Sequence, residues 1–348
     1  MTSSASIPSV TPLITAFMVS RLVYLAAELG IADLIAAGAV TAEALAEKTG
    51  THAPALRRVL RALCAHGVFA EPIPGHFGLG PLGAQLQSDS PGSVRNFARF
   101  FGDQRSWKCL AELEHVVRTG QTGMQSAFGM DSFQYLSSHP ADAAVFNAAM
   151  ADVTRQIARV AVEAYDFSAF RRIMDVGGGN GTFLAAVLRA TPGASGVLFD
   201  IPAGLTAAHE TLRQAGVADR CAVVAGDFFK SVPANADLMM LKSVIHDWDD
   251  DRATEILRQC RAAASPNAKL LLIERIMPER MVPTPANQRS ASLDIRMLAI
   301  TGGIERTEEE YRRLLQASGF TVTRMTVLPA QSDLALMEAV PGGAGVIC

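Results

Sequence analysis

The 348-residue sequence predicts an α/β protein in two parts: a helical N-terminal region carrying a winged helix, then a mostly parallel sheet covered by helices on both faces. Three observations predict it. From Asp166 onward, apolar runs of strand length alternate with helical segments, the mark of βαβ units. The first run leads directly into a glycine-rich turn and a helix. Before Asp166 the apolar spacing is helical almost throughout, interrupted by one short strand pair. Hydrophobic residues at 49% against 19% charged exclude a disordered chain. With 31 Lys and Arg against 34 Asp and Glu, the formal charge of -3 supplies no global basic field to gather nucleic acid.

Residues 11–37 read as one helix with Leu13, Phe17, Leu22, Leu25, Leu29 and Leu34 at helical spacings. Arg21, Glu28 and Asp33 interrupt it too often for a membrane span. So few of its faces are polar that it is either a core helix or packed on a second subunit. Thr41 can cap a short helix ending at Gly50, and residues 54–66 form a second, with Leu56, Leu60 and Leu63 inward and Arg57, Arg58 and Arg61 outward. Residues 67–71 and 76–80 flank a Pro/Gly turn and complete a winged-helix pattern. That shape often binds DNA, although a solvated basic helix face is the plainer account of the three arginines. Residues 94–165 read as several helices.

Strands follow at 172–176, 195–199, 221–224, 237–241, 269–276, 321–327 and 334–340. No long helix separates the last two, so they pair as a hairpin that adds an antiparallel strand to the sheet edge. Beyond Pro341 a glycine-rich tail is expected to fray. The five cysteines are scattered, with neither zinc-ligand spacing nor a disulfide framework, and residues 1–10 lack a secretory pattern, so a cytoplasmic protein is expected.

The chemistry-bearing residues gather where strands end. Ile173-Met-Asp-Val-Gly-Gly-Gly-Asn-Gly-Thr runs from a strand into a turn whose Gly177, Gly179 and Gly181 permit tight backbone and close ligand approach. The dinucleotide fingerprint needs Gly or Ala where Thr182 stands, which weakens a nicotinamide reading. Asp175 could instead offset an ammonium group, suiting a cofactor with an amino-acid tail. Asp200 ends the second strand, where a carboxylate can accept from two ribose hydroxyls, and Asp227 with Phe228 after the third offers an acceptor and an aromatic face to adenine. Lys242 and His246 follow the fourth strand. Asp249, Asp250 and Asp251 open a helix near Arg252 and make a poor metal site, because adjacent carboxylates on a helix start diverge. Glu274 closes the fifth strand, and Glu305 precedes Thr307, which can cap the next helix.

Together these residues resemble the S-adenosylmethionine-dependent O-methyltransferases of the plant caffeic acid and bacterial natural-product type. The matching motifs are MDVGGGNG at 174–181, FDIP at 199–202, GDFF at 226–229, LKSVIHDWDD at 241–250, IER at 273–275 and GGIERT at 302–307. The resemblance implies a Rossmann-like class I methyltransferase sheet behind a winged-helix dimerisation domain that does not bind DNA. By that resemblance Asp175, Gly177, Gly178, Gly179, Asp200, Gly226, Asp227, Phe228 and Lys242 hold S-adenosylmethionine, without a metal. His246 would be the base, flanked by Glu274 and Glu305, and Trp107, Phe146, Met150 and Met297 would line the pocket for a small aromatic hydroxyl acceptor. The implied domains are 1–100 for dimerisation, 101–165 as a helical linker and 166–348 for catalysis, in a homodimer. A histidine titrates in a range suited to taking a phenolic proton, and flanking carboxylates would fix its tautomer. A winged-helix regulator that senses S-adenosylmethionine without chemistry is the competing reading.

Overall fold

The computed structural model describes residues 9–329 and 334–342, so the expected fraying of the tail from 343 lies outside the described residues. The chain divides into two compact units, one of residues 1–107 with 148–152, the other of 108–147 with 153–348.

In the first unit the expected single helix is two, Thr11–Glu28 and Ile31–Ala36, because Gly30 takes the left-handed conformation (φ 63°) and turns the chain between them. Thr41 caps Ala42–Thr49 by accepting from the Ala44 amide (3.2 Å), and Gly50 ends that helix. Ala53–Ala65 follows, burying Leu56, Leu60 and Leu63 while Arg57, Arg58 and Arg61 face outward. Strands β1 (Phe69–Ile73) and β2 (His76–Leu79) pair antiparallel and complete the winged helix. Ala27, Ile31, Leu45, Leu60, Leu63, Phe69 and Phe77 form its core. The first helix leaves Leu13, Ile14, Phe17 and Met18 at 76%, 63%, 55% and 49% exposure, an apolar stripe that the described residues do not cover.

In the second unit β3 (Arg172–Val176), β4 (Ser195–Asp200), β5 (Cys221–Ala225), β6 (Leu238–Lys242) and β7 (Lys269–Met277) are parallel. The short β8 (Arg306–Thr307) pairs with β7, and β9 (Phe320–Val327) and β10 (Leu334–Pro341) complete the order β5-β4-β3-β6-β7-β10-β9. As expected, the hairpin adds an antiparallel strand to the β7 edge of the parallel sheet, and that strand, β10, takes the inner place between β7 and β9. Its composition explains why. Leu334, Ala335, Leu336, Met337 and Ala339 are all buried, whereas β9 exposes Thr321, Thr323, Arg324 and Val327 and can tolerate the edge.

Alternation along the strands builds two cores. Ile173, Leu198, Met240, Leu271 and Leu336 face one layer of helices, and Met174, Phe199, Leu241, Leu272 and Met337 face the other. The strand order reverses between β3 and β6, so a crevice opens at their carboxyl ends, where ligands of open α/β sheets gather. Among the described residues no helix is long and apolar enough to cross a membrane.

Candidate active site

The turn after β3 is drawn tightly onto its neighbours. Gly177 has φ 71°, and a Cβ there would lie 2.9 Å from Val244 Cγ2 and 3.5 Å from the Phe228 ring. A Cβ on Gly178 would meet Leu198 at 2.5 Å and the Asp175 carboxyl at 2.7 Å. Gly179 (φ 56°) donates its amide to Asp200 Oδ2 at 2.7 Å, so the carboxylate ending β4 braces the loop ending β3. Asp200 Oδ1 also accepts from the Ile201 amide (2.6 Å), and burial pushes its carboxyl up despite both bonds. Gly226 lies where a Cβ would strike the Phe199 ring at 2.4 Å. Asp227 Oδ1 accepts from the Phe229 amide (3.0 Å) in a turn that sets Phe228 beside Gly177.

Asp175 is buried at 1% exposure, and its Oδ2 accepts no hydrogen bond from the described residues. Burial raises its carboxyl to about 7 against the pull of Lys242. Lys242, at the end of β6, is itself lowered by burial, opposed by Asp175, Glu274 and Asp247. A buried carboxylate oxygen lacking a donor, beside a glycine-rich loop, is a fitting seat for an ammonium-bearing nucleoside. The residues present thus fit S-adenosylmethionine.

The turn after β6 carries His246. Ser243 takes φ 54°, unusual for a residue with a side chain, and leads into the 3-10 turn Ile245–Asp247. Glu274 Oε1 accepts from the amides of both Val244 (2.9 Å) and Ile245 (2.8 Å). It therefore holds the backbone of that turn and acts on the imidazole through its charge, without a hydrogen bond to it. Glu305 does bond it, Oε1 to Nδ1 at 2.9 Å, while Asp247 Oδ1 stands 3.9 Å from Nε2. Glu305 is oriented in turn by its own amide, which donates to Asp294 Oδ1 (3.0 Å), and by Arg275 at 3.7 Å. Burial alone would lower His246, but the charges of Glu274, Glu305 and Asp247 outweigh it and push the imidazole up to about 10. That departs from the ordinary histidine range expected from sequence, because three acidic side chains converge on one buried ring.

Asp249 caps the helix Asp250–Ala263, accepting from the Arg252 amide (2.8 Å), so the helix starts two residues earlier than its spacing suggested. Among the described residues no group of three or more His, Cys, Asp or Glu is placed to hold a metal ion. Trp248 is stacked on Phe133 (5.4 Å between rings) and packed edge-on against Phe229 (4.7 Å). Of the expected pocket walls, Phe146 and Met297 belong to the second unit and are half-buried, and the Met297 carbonyl accepts from the amides of Thr301 and Gly302. Trp107 and Met150 belong to the first unit, where Trp107 meets Phe17 edge-on at 6.3 Å. Sequence reasoning missed Arg306, whose motif was in view but three of whose partners lie 56 and more residues upstream.

A family model described as an O-methyltransferase domain matches residues 110–321, and one described as an O-methyltransferase dimerisation domain matches 11–88. The chain is 45% identical to a phenazine O-methyltransferase of Lysobacter antibioticus, over 94% of each chain. It is 40% identical to a mitomycin biosynthesis 6-O-methyltransferase of Streptomyces lavendulae, over 88% of this chain and 86% of that one. The solved structure of NcsB1, an O-methyltransferase from neocarzinostatin biosynthesis in complex with S-adenosylmethionine and 2-hydroxy-5-methyl naphthoic acid, superposes with a TM-score of 0.83. Its identity is 31%, covering 97% of this chain and all of that one.

Proposed function

The chain belongs to the S-adenosylmethionine-dependent O-methyltransferases, and on that premise we propose that His246 is the base that frees an aromatic hydroxyl for methylation. The protein transfers a methyl group from S-adenosylmethionine to a hydroxyl of a small aromatic acceptor of the phenazine or aromatic polyketide kind. The sensor reading gains no support, since the relatives are transferases. The observation carrying the assignment of the base is the 2.9 Å bond from His246 Nδ1 to the buried Glu305, with Nε2 left for the acceptor.

Bound at the β3 loop, S-adenosylmethionine supplies an electrophilic methyl carbon on a sulfonium. The chain supplies position and a proton acceptor. Glu274 fixes the turn, Glu305 fixes the ring's orientation through Nδ1, and Nε2 takes the hydroxyl proton. A phenol has a pKa of about 10. The surrounding carboxylates push the imidazole up, which strengthens its neutral form as an acceptor of that proton. The imidazolium that forms is held by the three carboxylates, as an aspartate holds it in hydrolase triads. Asp175, Gly177, Gly178, Gly179, Asp200, Gly226, Asp227, Phe228 and Lys242 would hold the donor, and Met297, on the segment before the Glu305 loop, would wall the acceptor pocket.

The uncovered stripe of Leu13, Ile14, Phe17 and Met18 supports a homodimer formed through the first helix. A cytoplasmic enzyme is consistent with the free thiols of Cys64, Cys109, Cys221 and Cys260. A screen of hydroxyphenazines and hydroxynaphthoates with the methyl donor, read by mass for one added methyl, tests the acceptor class. His246→Ala should lower turnover about 10²- to 10⁴-fold while S-adenosylhomocysteine binding persists. Turnover unchanged in that variant would remove His246 from the mechanism.

A further inference from the structure

The geometry points to Arg306 as a positioning residue that clamps the turn carrying His246 in its working orientation, an inference that rests on His246 being the base. Arg306 is 1% exposed, and its guanidinium is committed entirely to that turn and its surroundings. Nη1 donates to the carbonyls of Ile245 (3.3 Å) and Ile304 (3.2 Å), and Nη2 donates to the carbonyl of Trp248 (2.8 Å). Nε donates to Asp250 Oδ1 at 2.9 Å. The clamp therefore holds carbonyls on both sides of His246. Its chain neighbours complete the grip: Glu305 accepts from Nδ1, and the Ile304 amide donates to the His246 carbonyl at 2.9 Å. Gly303 packs so closely on that carbonyl that any Cβ there would overlap it.

The side-chain type matters. A guanidinium presents donors in a planar fork and can bridge three carbonyls and a carboxylate, whereas an ammonium is a single point on a flexible stem. Asp250 neutralises the buried cation from a position at the water edge, where the carboxylate is 75% exposed. Arg306 itself sits on β8, paired to β7 opposite Ile276, so the turn is tied through it to the central sheet.

The test compares Arg306→Lys, Asp250→Asn and His246→Ala with the parent on two acceptors. One is a hydroxyphenazine, and the other is a nitro-substituted hydroxyphenazine whose hydroxyl is ionised before binding. Arg306→Lys should bind S-adenosylhomocysteine as the parent does, lose turnover on the neutral acceptor by ~10²-fold, and lose little on the ionised one, which needs no base. Nitrogen-15 spectra of labelled histidine should show the Nδ1 hydrogen bond weakened in the same variant. Asp250→Asn, altered at the exposed end of the clamp where folding is not at risk, should show a severalfold loss confined to the neutral acceptor. Equal losses on both acceptors would make Arg306 merely structural and overturn the proposal. It would also be overturned if Asp250→Asn matched the parent on both. If His246→Ala slows the neutral acceptor while the other two variants do not, the clamp alone falls. If His246→Ala has no effect, the base assignment falls with it.

Discussion

Replacing Gly177 with alanine probes the grip of the donor loop through two separable costs. The residue sits at φ 71°, in the left-handed region that costs an L side chain about 1–2 kcal/mol. The new Cβ would also lie 2.9 Å from Val244 Cγ2, well inside ordinary carbon contact at about 3.5–4.0 Å. Val244 cannot readily retreat, because it is 6% exposed and its amide is bonded to Glu274 at 2.9 Å. Overpacking of this kind costs about 1–3 kcal/mol, so the total is about 2–5 kcal/mol. At roughly 2–4 °C per kcal/mol for a domain of this size, the melting temperature should fall by roughly 4–20 °C. The loop would have to lift from the strand tips, so calorimetry should also show weaker S-adenosylhomocysteine binding. A double-mutant cycle with Val244→Ala separates the terms. The clash should appear as a favourable coupling of about 1–3 kcal/mol, with the conformational cost remaining. A melt unchanged within a degree, or a coupling near zero, would refute the contact on which this reasoning depends.

Because the base must be neutral to accept a proton and His246 is pushed up to about 10, kcat/KM should climb with pH from neutrality toward about 10. A profile already flat above pH ~6.5, the ordinary histidine value, would contradict the carboxylate cluster. Asp175 is raised by burial to about 7, so its ionisation destabilises the unliganded fold as pH rises from the unfolded value through 7. Asp175→Asn should therefore melt no lower than the parent at pH 8 while binding S-adenosylhomocysteine at least ~10-fold more weakly, since charge-assisted bonds are worth about 1.5–3 kcal/mol. Lower stability with intact binding would reverse the assignment. Changing Leu13 and Phe17 together to aspartate places charge on the uncovered stripe and should shift the mass in light scattering from dimer to monomer, whereas an unchanged mass would remove that face from the interface.

The local features were legible in the residues alone. Strand-length apolar runs marked β3, β4, β6 and β7, because strands buried on both faces must be apolar at nearly every position, and a shorter apolar run marked the edge strand β5. The turn at Gly177 to Gly181, the Thr41 cap and the wing announced themselves through residues whose backbone preferences act within a few positions. Motif order along the chain disclosed the family, since each strand end carries its own short signature. The tertiary structure decided what depends on distance across the sheet. It placed β10 inside the sheet, put Glu274 on backbone amides instead of the imidazole, and brought Arg306 onto carbonyls some sixty positions earlier. It also set the titration of His246 and Asp175, because charge interactions scale with separation and burial, and neither is written into the spacing of residues along a chain.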